Sequence, residues 1–311
     1  MIYGQIANVN KPVSRIVLGL GNVKSDDADR VFGLLDTFTE RGGTLIDTAS
    51  VYAGGLSEAY IGRWLEDHDR FDTVVVATKG GHPSLPDWTP RLNPEAVESD
   101  LTSSLERLRR DCVDIYMLHR DDERIPPDEM LEMLSAHVAS GRAKAIGVSN
   151  WSHERIEAAN VYADRNGLPR ISASSPQFSL AIPDRPTLPG VVTLGGASDA
   201  MEWYRVNQMP VLAWSSQAHG FFSQPMHARV EAGGSANAFA TEANFERYRR
   251  AQLIGERHAC SASQIALAWL LAQPINVYPV VGPGTIEHLN ECLDSLDIEL
   301  SADEVSWLSL E

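Results

Sequence analysis

Eight short runs rich in Val, Ile and Leu recur along this chain, and most are followed by a stretch in which apolar residues keep helical spacing. The runs are RIVLGL (15–20), TLID (44–47), TVVVATK (73–79), VDIYMLH (113–119), KAIGVSN (144–150), RISASS (170–175), PVLAWS (210–215) and NVYPVV (276–281). Their length and β-branched content suit strands buried on both faces, the kind found in parallel sheets. Between them, Val31, Leu34, Leu35 and Phe38 follow i, i+3, i+4, i+7 spacing, with Ser25 as a candidate cap and Gly42-Gly43 as the stop. Asn93-Pro94 offers an N-cap with Pro at the first helical position, ahead of Val97, Leu101, Leu105 and Leu108. Further helices are expected from near Ser57, near 128–141, from Ser152 to about Asn166, and near 197–207, 242–258, 262–273 and 285–296. Eight strands each followed by helix fit an α/β fold of the (β/α)8 TIM-barrel type better than an open sheet. MIYGQI and PVSRIV can pair as a short N-terminal β-hairpin, and residues 1–311 read as a single domain. Residues 178–196 and 216–241 break the rhythm and are rich in Gly or Pro, which marks them as long cofactor or substrate loops.

Composition removes several function classes. The formal net charge is −16, with acids scattered over many segments, so a basic surface for nucleic-acid phosphates is not expected. The longest purely apolar stretch, Ile265 to Ala272, is far short of a membrane span, and Met1 to Ser14 has no signal-peptide core. The chain therefore reads as cytoplasmic. Cys112, Cys260 and Cys292 are odd in number and unpaired in spacing, which argues against a disulfide framework and a zinc knuckle. Cys112 precedes a strand and is expected to be buried structure. No metal motif occurs, GLGNVK lacks the third Gly of the dinucleotide fingerprint, and no GxxxxGK[ST] phosphate loop is present.

Polar residues stand where four of the runs end: Asp47, Lys79, His119 and Asn150, with Tyr52 five residues after Asp47. Taken alone, each has an ordinary explanation: a turn cap, a solvated loop charge, a satisfied core histidine, a packing aromatic. Their repetition at the carboxyl ends of consecutive strands is how a β/α barrel builds an active site. A tyrosine titrates near about 10, and an adjacent Lys ammonium is expected to lower that value toward useful general-acid range. Asp47 could hold the Lys in place, and His119 could polarise a carbonyl oxygen or relay a proton. Such a set suits protonation of the oxyanion formed when a carbonyl accepts hydride.

LIDTASVYAGGLSEAYIGRWL, VVVATKGG, VDIYMLHRDD and GVSNW resemble, in order and spacing, the motifs of the aldo-keto reductases. The resemblance covers nearly the whole chain. It implies a barrel oxidoreductase that interconverts aldehydes or ketones with alcohols using NAD(P)H. On this resemblance Tyr52 is the proton donor, Lys79 and Asp47 tune it, and His119 orients the substrate carbonyl. It also implies that Ser149, Asn150 and Gln177 meet the nicotinamide carboxamide, that Trp214 stacks on the ring where the family usually has Tyr, and that Ser215 sits near the pyrophosphate. The segment GPGTIEHLNEC, from Gly282 through His288 to Cys292, resembles the part that holds the adenosine phosphate end. Many members carry Lys or Arg there for the 2′-phosphate of NADPH. This chain offers His288 beside Glu287 and ends the motif in Cys292, so NAD remains open beside NADP.

His82, Trp88, His219, Phe221 and Phe222 fall in strand-end loops, where they could line a substrate pocket or serve as loop packing. The partner is expected to be a small-molecule carbonyl or alcohol, with a sugar-like compound and a simpler aldehyde both fitting. Two other readings stand beside this one. The barrel could be a nucleotide-sensing regulatory protein with little turnover, or a lyase or isomerase acting through a Schiff base at Lys79.

Overall fold

The apolar runs do form parallel strands, and the strands close on themselves. The computed structural model describes residues 1–196, 198–223 and 234–311. A two-stranded antiparallel hairpin, β1 (Tyr3–Gly4) and β2 (Val13–Ser14), precedes the barrel. The barrel strands are β3 (Val17–Gly19), β4 (Leu45–Asp47), β5 (Val75–Gly80), β6 (Val113–Leu118), β7 (Ala143–Ser149), β8 (Ile171–Ser175), β9 (Val211–Ala213) and β10 (Val277–Val281). They pair in sequence order, and β10 closes the ring against β3. The fold is a (β/α)8 barrel with helices packed around it.

The outer helices are α1 (Ala28–Glu40), α2 (Leu56–Asp67), α3 (Pro94–Leu108), α4 (Pro127–Ala139), α5 (His153–Asn166), α6 (Asp199–Asn207), α7 (Glu242–His258), α8 (Ala262–Leu271), α9 (Ile286–Asp294) and α10 (Ala302–Ser309). In α1 the buried face is Val31, Leu34, Leu35 and Phe38, as their spacing requires. Each such side chain contributes roughly 1.5–3 kcal/mol by leaving water. Asn93 and Ser152 cap α3 and α5 by accepting the backbone N–H of Ala96 and Arg155. Ser25 does not cap α1. Asp27 stands at that position with no side-chain cap bond, because its carboxylate takes the Lys24 N–H and the Arg30 guanidinium. The Ser25 carbonyl instead accepts the Tyr60 hydroxyl. Cys112 is half-buried rather than buried, its thiol donating to the Val113 carbonyl.

Two apolar cores result. Between sheet and helices lies the larger one, which includes Leu18, Ile46, Val76, Tyr116, Leu118, Ile146 and Val148. Inside the barrel lies a second, built from Val17, Leu45, Val75, Ala77, Ile115, Met117, Ala145, Ala173, Leu212 and Tyr278. Ile6, Val9 and Val13 of the hairpin region join this inner core, so the hairpin covers the amino-terminal end of the barrel. The opposite end stays open for chemistry. No helix among the described residues is long and apolar enough to cross a membrane.

Candidate active site

Period two along each strand assigns the site. Leu45, Ala77, Met117, Ala145, Ala173, Leu212 and Tyr278 point into the barrel, so the residues two places later on those strands point inward as well. Those residues are Asp47, Lys79, His119, Gly147, Ser175, Trp214 and Val280. All but Gly147 line one cavity of about 640 Å3 at the carboxyl end of the barrel, together with Ser149 two residues after Gly147 and Gly19, Gly21 and Gly282 of the same parity. Most of these strand ends thus carry polar groups that the pleat aims at a shared cavity, with Trp214 and Val280 as its apolar wall.

At the β4–β5–β6 side the geometry is tight. The Lys79 ammonium donates to both Asp47 carboxylate oxygens, at 2.6 and 2.7 Å, and to the Thr48 carbonyl at 2.9 Å. It lies 5.1 Å from the centre of the Tyr52 ring, which in turn meets His119 edge-on at 5.5 Å. Tyr52 opens the turn Tyr52–Gly55, whose Ala53 and Gly54 take left-handed backbone, and its ring passes 3.7 Å from where a side chain at Gly21 would begin. Burial works against the Lys79 charge, but Asp47 and then Tyr52 outweigh it and hold the ammonium above its ordinary range. Its donors are taken up by the Asp47 carboxylate and the Thr48 carbonyl, an arrangement that suits a held ammonium rather than the free amine a Schiff base needs.

Tyr52 departs from expectation. Burial pushes its phenol up, and Asp47 adds to the rise, so the pull of Lys79 and Arg120 in the other direction is outweighed. The resting phenol stays protonated across neutral pH. His119 is pushed well below the ordinary histidine range by burial first, then by Lys79, Arg120 and His82. It stands as a neutral imidazole whose Nδ1 has no partner among the described residues.

Other sequence-expected residues divide into two groups. His82, Ser149, Trp214, Ser215, His219, Gly282, His288 and Cys292 line the cavity. Asn150, Gln177, Trp88 and Phe221 do not. Asn150 and Gln177 are buried beneath the cavity wall. The Asn150 amide donates to the Ser149 hydroxyl at 2.9 Å, and its oxygen accepts the Trp214 indole N–H at 3.3 Å. It braces the two residues that line the wall. The Gln177 oxygen accepts from Thr187 and Thr193, while its amide nitrogen is buried without a partner. Trp88 packs at 5.5 Å against His82, one step behind the wall. Phe221 is core. It is 2% exposed and packs on Phe222, Phe245 and Tyr248, because the turn at Ala218–Gly220 swings its ring toward α7. Phe222 is buried in the same cluster.

Several lining residues were not singled out from sequence: Gly19, Gly21, Ser175, Ser216, Gln217, Glu291 and Arg120. Strand parity could have found Gly19 and Ser175. Gln217 links the far wall, donating to Ser263 at 2.8 Å and accepting the Cys292 thiol at 3.6 Å. Burial raises that thiol to about 12, so Cys292 is a neutral packing group there. The cavity runs from Tyr52 past Trp214 and Ser215 to His288 and Glu291, and the Ser215 hydroxyl is buried without a partner. An elongated cleft with unsatisfied donors and a reactive phenol at one end fits a dinucleotide lying along its wall.

A model of the Aldo/keto reductase family matches residues 15–309. The chain belongs to that family. Aldo/keto reductases are oxidoreductases, and this one has relatives spread over bacteria and fungi. It is 28% identical to the uncharacterized oxidoreductase YrpG of Bacillus subtilis, over 99% of this chain and 95% of that protein. Norsolorinic acid reductase stcV of Emericella nidulans is 29% identical over 92% of this chain and 72% of that protein. Among solved structures, the thermostable aldo-keto reductase Tm1743, crystallised with the inhibitor epalrestat, superposes with a TM-score of 0.76 at 25% identity, covering 100% of this chain and 99% of that one. A Klebsiella pneumoniae aldo/keto reductase in complex with NADP and acetate shares the fold, with a TM-score of 0.71 at 24% identity, 96% of this chain and 91% of that one.

Proposed function

We propose that this aldo/keto reductase interconverts a small carbonyl compound and its alcohol with NAD(P)H, and that Tyr52 moves the proton. Residues 1–311 act in this reading as one barrel domain. The observation that carries it is the convergence of Tyr52, His119 and the Asp47–Lys79 ion pair on one inward-facing strand-end cavity. When bound, the nicotinamide supplies a hydride to the carbonyl carbon. Tyr52 donates its proton to the carbonyl oxygen as negative charge gathers there, and the adjacent Lys79 ammonium stabilises the phenolate left behind. Asp47 and the Thr48 carbonyl keep that ammonium pointed at the ring. Neutral His119 orients the carbonyl oxygen through a hydrogen bond without competing as an acid. Trp214 and Ser215 would hold the nicotinamide and phosphate portions, with Asn150 and Gln177 supporting the wall.

Among the described lining residues at the adenosine end there is no Lys or Arg, only His288, and Glu291 lines the same space. Such a wall gives a 2′-phosphate little advantage, so both cofactor forms are accepted. Tyr52→Phe should lower single-turnover hydride transfer by about 10²–10⁴-fold, the range general-acid catalysis supplies. Binding of NADPH, followed by quenching of protein fluorescence, should change little. A near-normal rate in Tyr52→Phe would overturn the proposal.

A further inference from the structure

One buried cation of the cavity takes no part in this chemistry. Arg120 follows His119 at the end of β6, is 7% exposed, and lines the cavity beside Tyr52, His82 and His119. Among the described residues its buried Nε–H has no partner. Its Nη1 reaches only the carbonyl of its neighbour His119, at a long 3.4 Å, and its guanidinium carbon lies 5.9 Å from the Trp88 ring centre. Both contacts are at the weak edge of their kinds.

Carboxylates adjacent in sequence do not serve it. Asp121 is held by Arg155 at 2.7 Å and Asp122 by Arg124 at 2.6 Å. Of the acids lining the cavity among the described residues, Asp47 is engaged by Lys79, and Glu291 lies by Cys292 and His288. Two other buried cations do find carboxylates, Lys79 with Asp47 and Arg110 with Asp114 at 3.1 Å, and buried Arg247, which has none, instead donates to the Asn244 side-chain oxygen and the Ser309 carbonyl. Removing a guanidinium from water without an anion costs several kcal/mol, and Arg does not shed its proton to avoid that cost. A buried, always-charged fork with an open donor beside the reacting phenol is built for anionic oxygens.

We propose that Arg120 is the counter-ion of a carboxylate on the substrate, so that the physiological carbonyl compound is an oxo-acid or aldehyde-acid whose charged group docks on Arg120 while its carbonyl meets Tyr52 and His119. The inference rests on the carbonyl-reductase reading of the site. It adds what that reading leaves open, the class of compound. His82 forms the side of the subsite, backed by Trp88, whose ring lies 5.9 Å from the Arg120 guanidinium carbon.

Matched substrates test it in the intact protein with NADPH: 4-formylbenzoate against its methyl ester, succinic semialdehyde against butanal, and glyceraldehyde 3-phosphate against glyceraldehyde. The acid of each carboxylate pair should show a kcat/KM at least about tenfold higher, carried mainly by KM, as hydrogen bonds to a charged group allow. Arg120→Met should erase that ratio and Arg120→Lys restore part of it. Calorimetric titration of benzoate into the protein preloaded with NADP supplies a readout free of turnover, and binding should weaken at least about tenfold in Arg120→Met. Neutral substrates reduced in a Tyr52-dependent way, with no advantage for their acids in the wild-type protein, would overturn the subsite while leaving the reductase reading intact. That comparison holds even if Arg120→Met does not fold. Benzoate binding that ignores Arg120 would overturn it too, and a preference confined to the phosphate pair would overturn the carboxylate assignment. If no carbonyl of any kind is reduced, it is the reductase reading that falls.

Discussion

Replacing Lys79 by Met isolates the energetics on which the site depends. The ammonium sits 2.6 and 2.7 Å from two carboxylate oxygens, with side chains only 3% and 6% exposed. At such a separation, and an effective dielectric of about 20, the attraction is on the order of 6 kcal/mol before desolvation is subtracted. Removing one member of a buried pair costs about 3–5 kcal/mol, because the other charge is left without compensation. Asp47, already pushed up by burial, should then rise further for lack of its partner. Between the unfolded carboxylate value near 3.9 and the raised folded value, the folded state binds a proton that the unfolded state does not, so stability grows on acidification by about 1.4 kcal/mol per pH unit. Lys79→Met should therefore be destabilised by about 3–5 kcal/mol at pH 8 and recover much of that deficit at pH 5. Urea denaturation at the two pH values, read by circular dichroism, measures the change. The double variant Asp47→Leu/Lys79→Met, which removes both members of the pair, should be more stable than Lys79→Met at pH 8. A deficit below about 1 kcal/mol, equal deficits at both pH values, or a double variant no better than the single one would refute the reasoning.

Three further outcomes follow from the same geometry. His119 has a depressed folded pKa, so the stability it contributes is present above about 6.5 and is lost as pH falls toward the folded value; His119→Gln should flatten the acid limb of the stability curve by about 1.4 kcal/mol per unit below pH 6.5. Gly62→Ala, a change that ordinarily favours a helix, should destabilise by about 1–3 kcal/mol in a thermal or urea melt, because the added carbon would sit 2.1 Å from the Arg107 carbonyl oxygen where α2 crosses α3. His288→Arg should tighten NADPH binding by about tenfold relative to NADH in a fluorescence titration, since it places a fixed fork at the adenosine end.

Much of the architecture was legible before any coordinates. Strand-length apolar runs, helical spacing and side-chain caps such as Asn93 and Ser152 are local signals, and local signals survive folding when packing agrees with them. A capping box at Ser301 and Glu304 announced α10 just as plainly, though that helix lay beyond the repeating pattern being read. Ser25 misled because Asp27, two residues on, offered a turn that satisfied Lys24 and Arg30 together. Phe221 misled because a loop aromatic carries no period, so nothing in its neighbours says which way the ring turns.

By itself the sequence determined the barrel and the inward parity of Asp47, Lys79 and His119, because strand pleat makes every second residue face the same way. Tertiary structure alone decided the rest. Depth of burial turned the expected fall in the Tyr52 pKa into a rise, since desolvation depends on everything packed around the phenol and not on the one lysine visible in a motif. Packing also moved Asn150 and Gln177 behind the wall. It left Arg120, an unremarked neighbour of His119, buried on the cavity with an Nε–H that has no partner among the described residues.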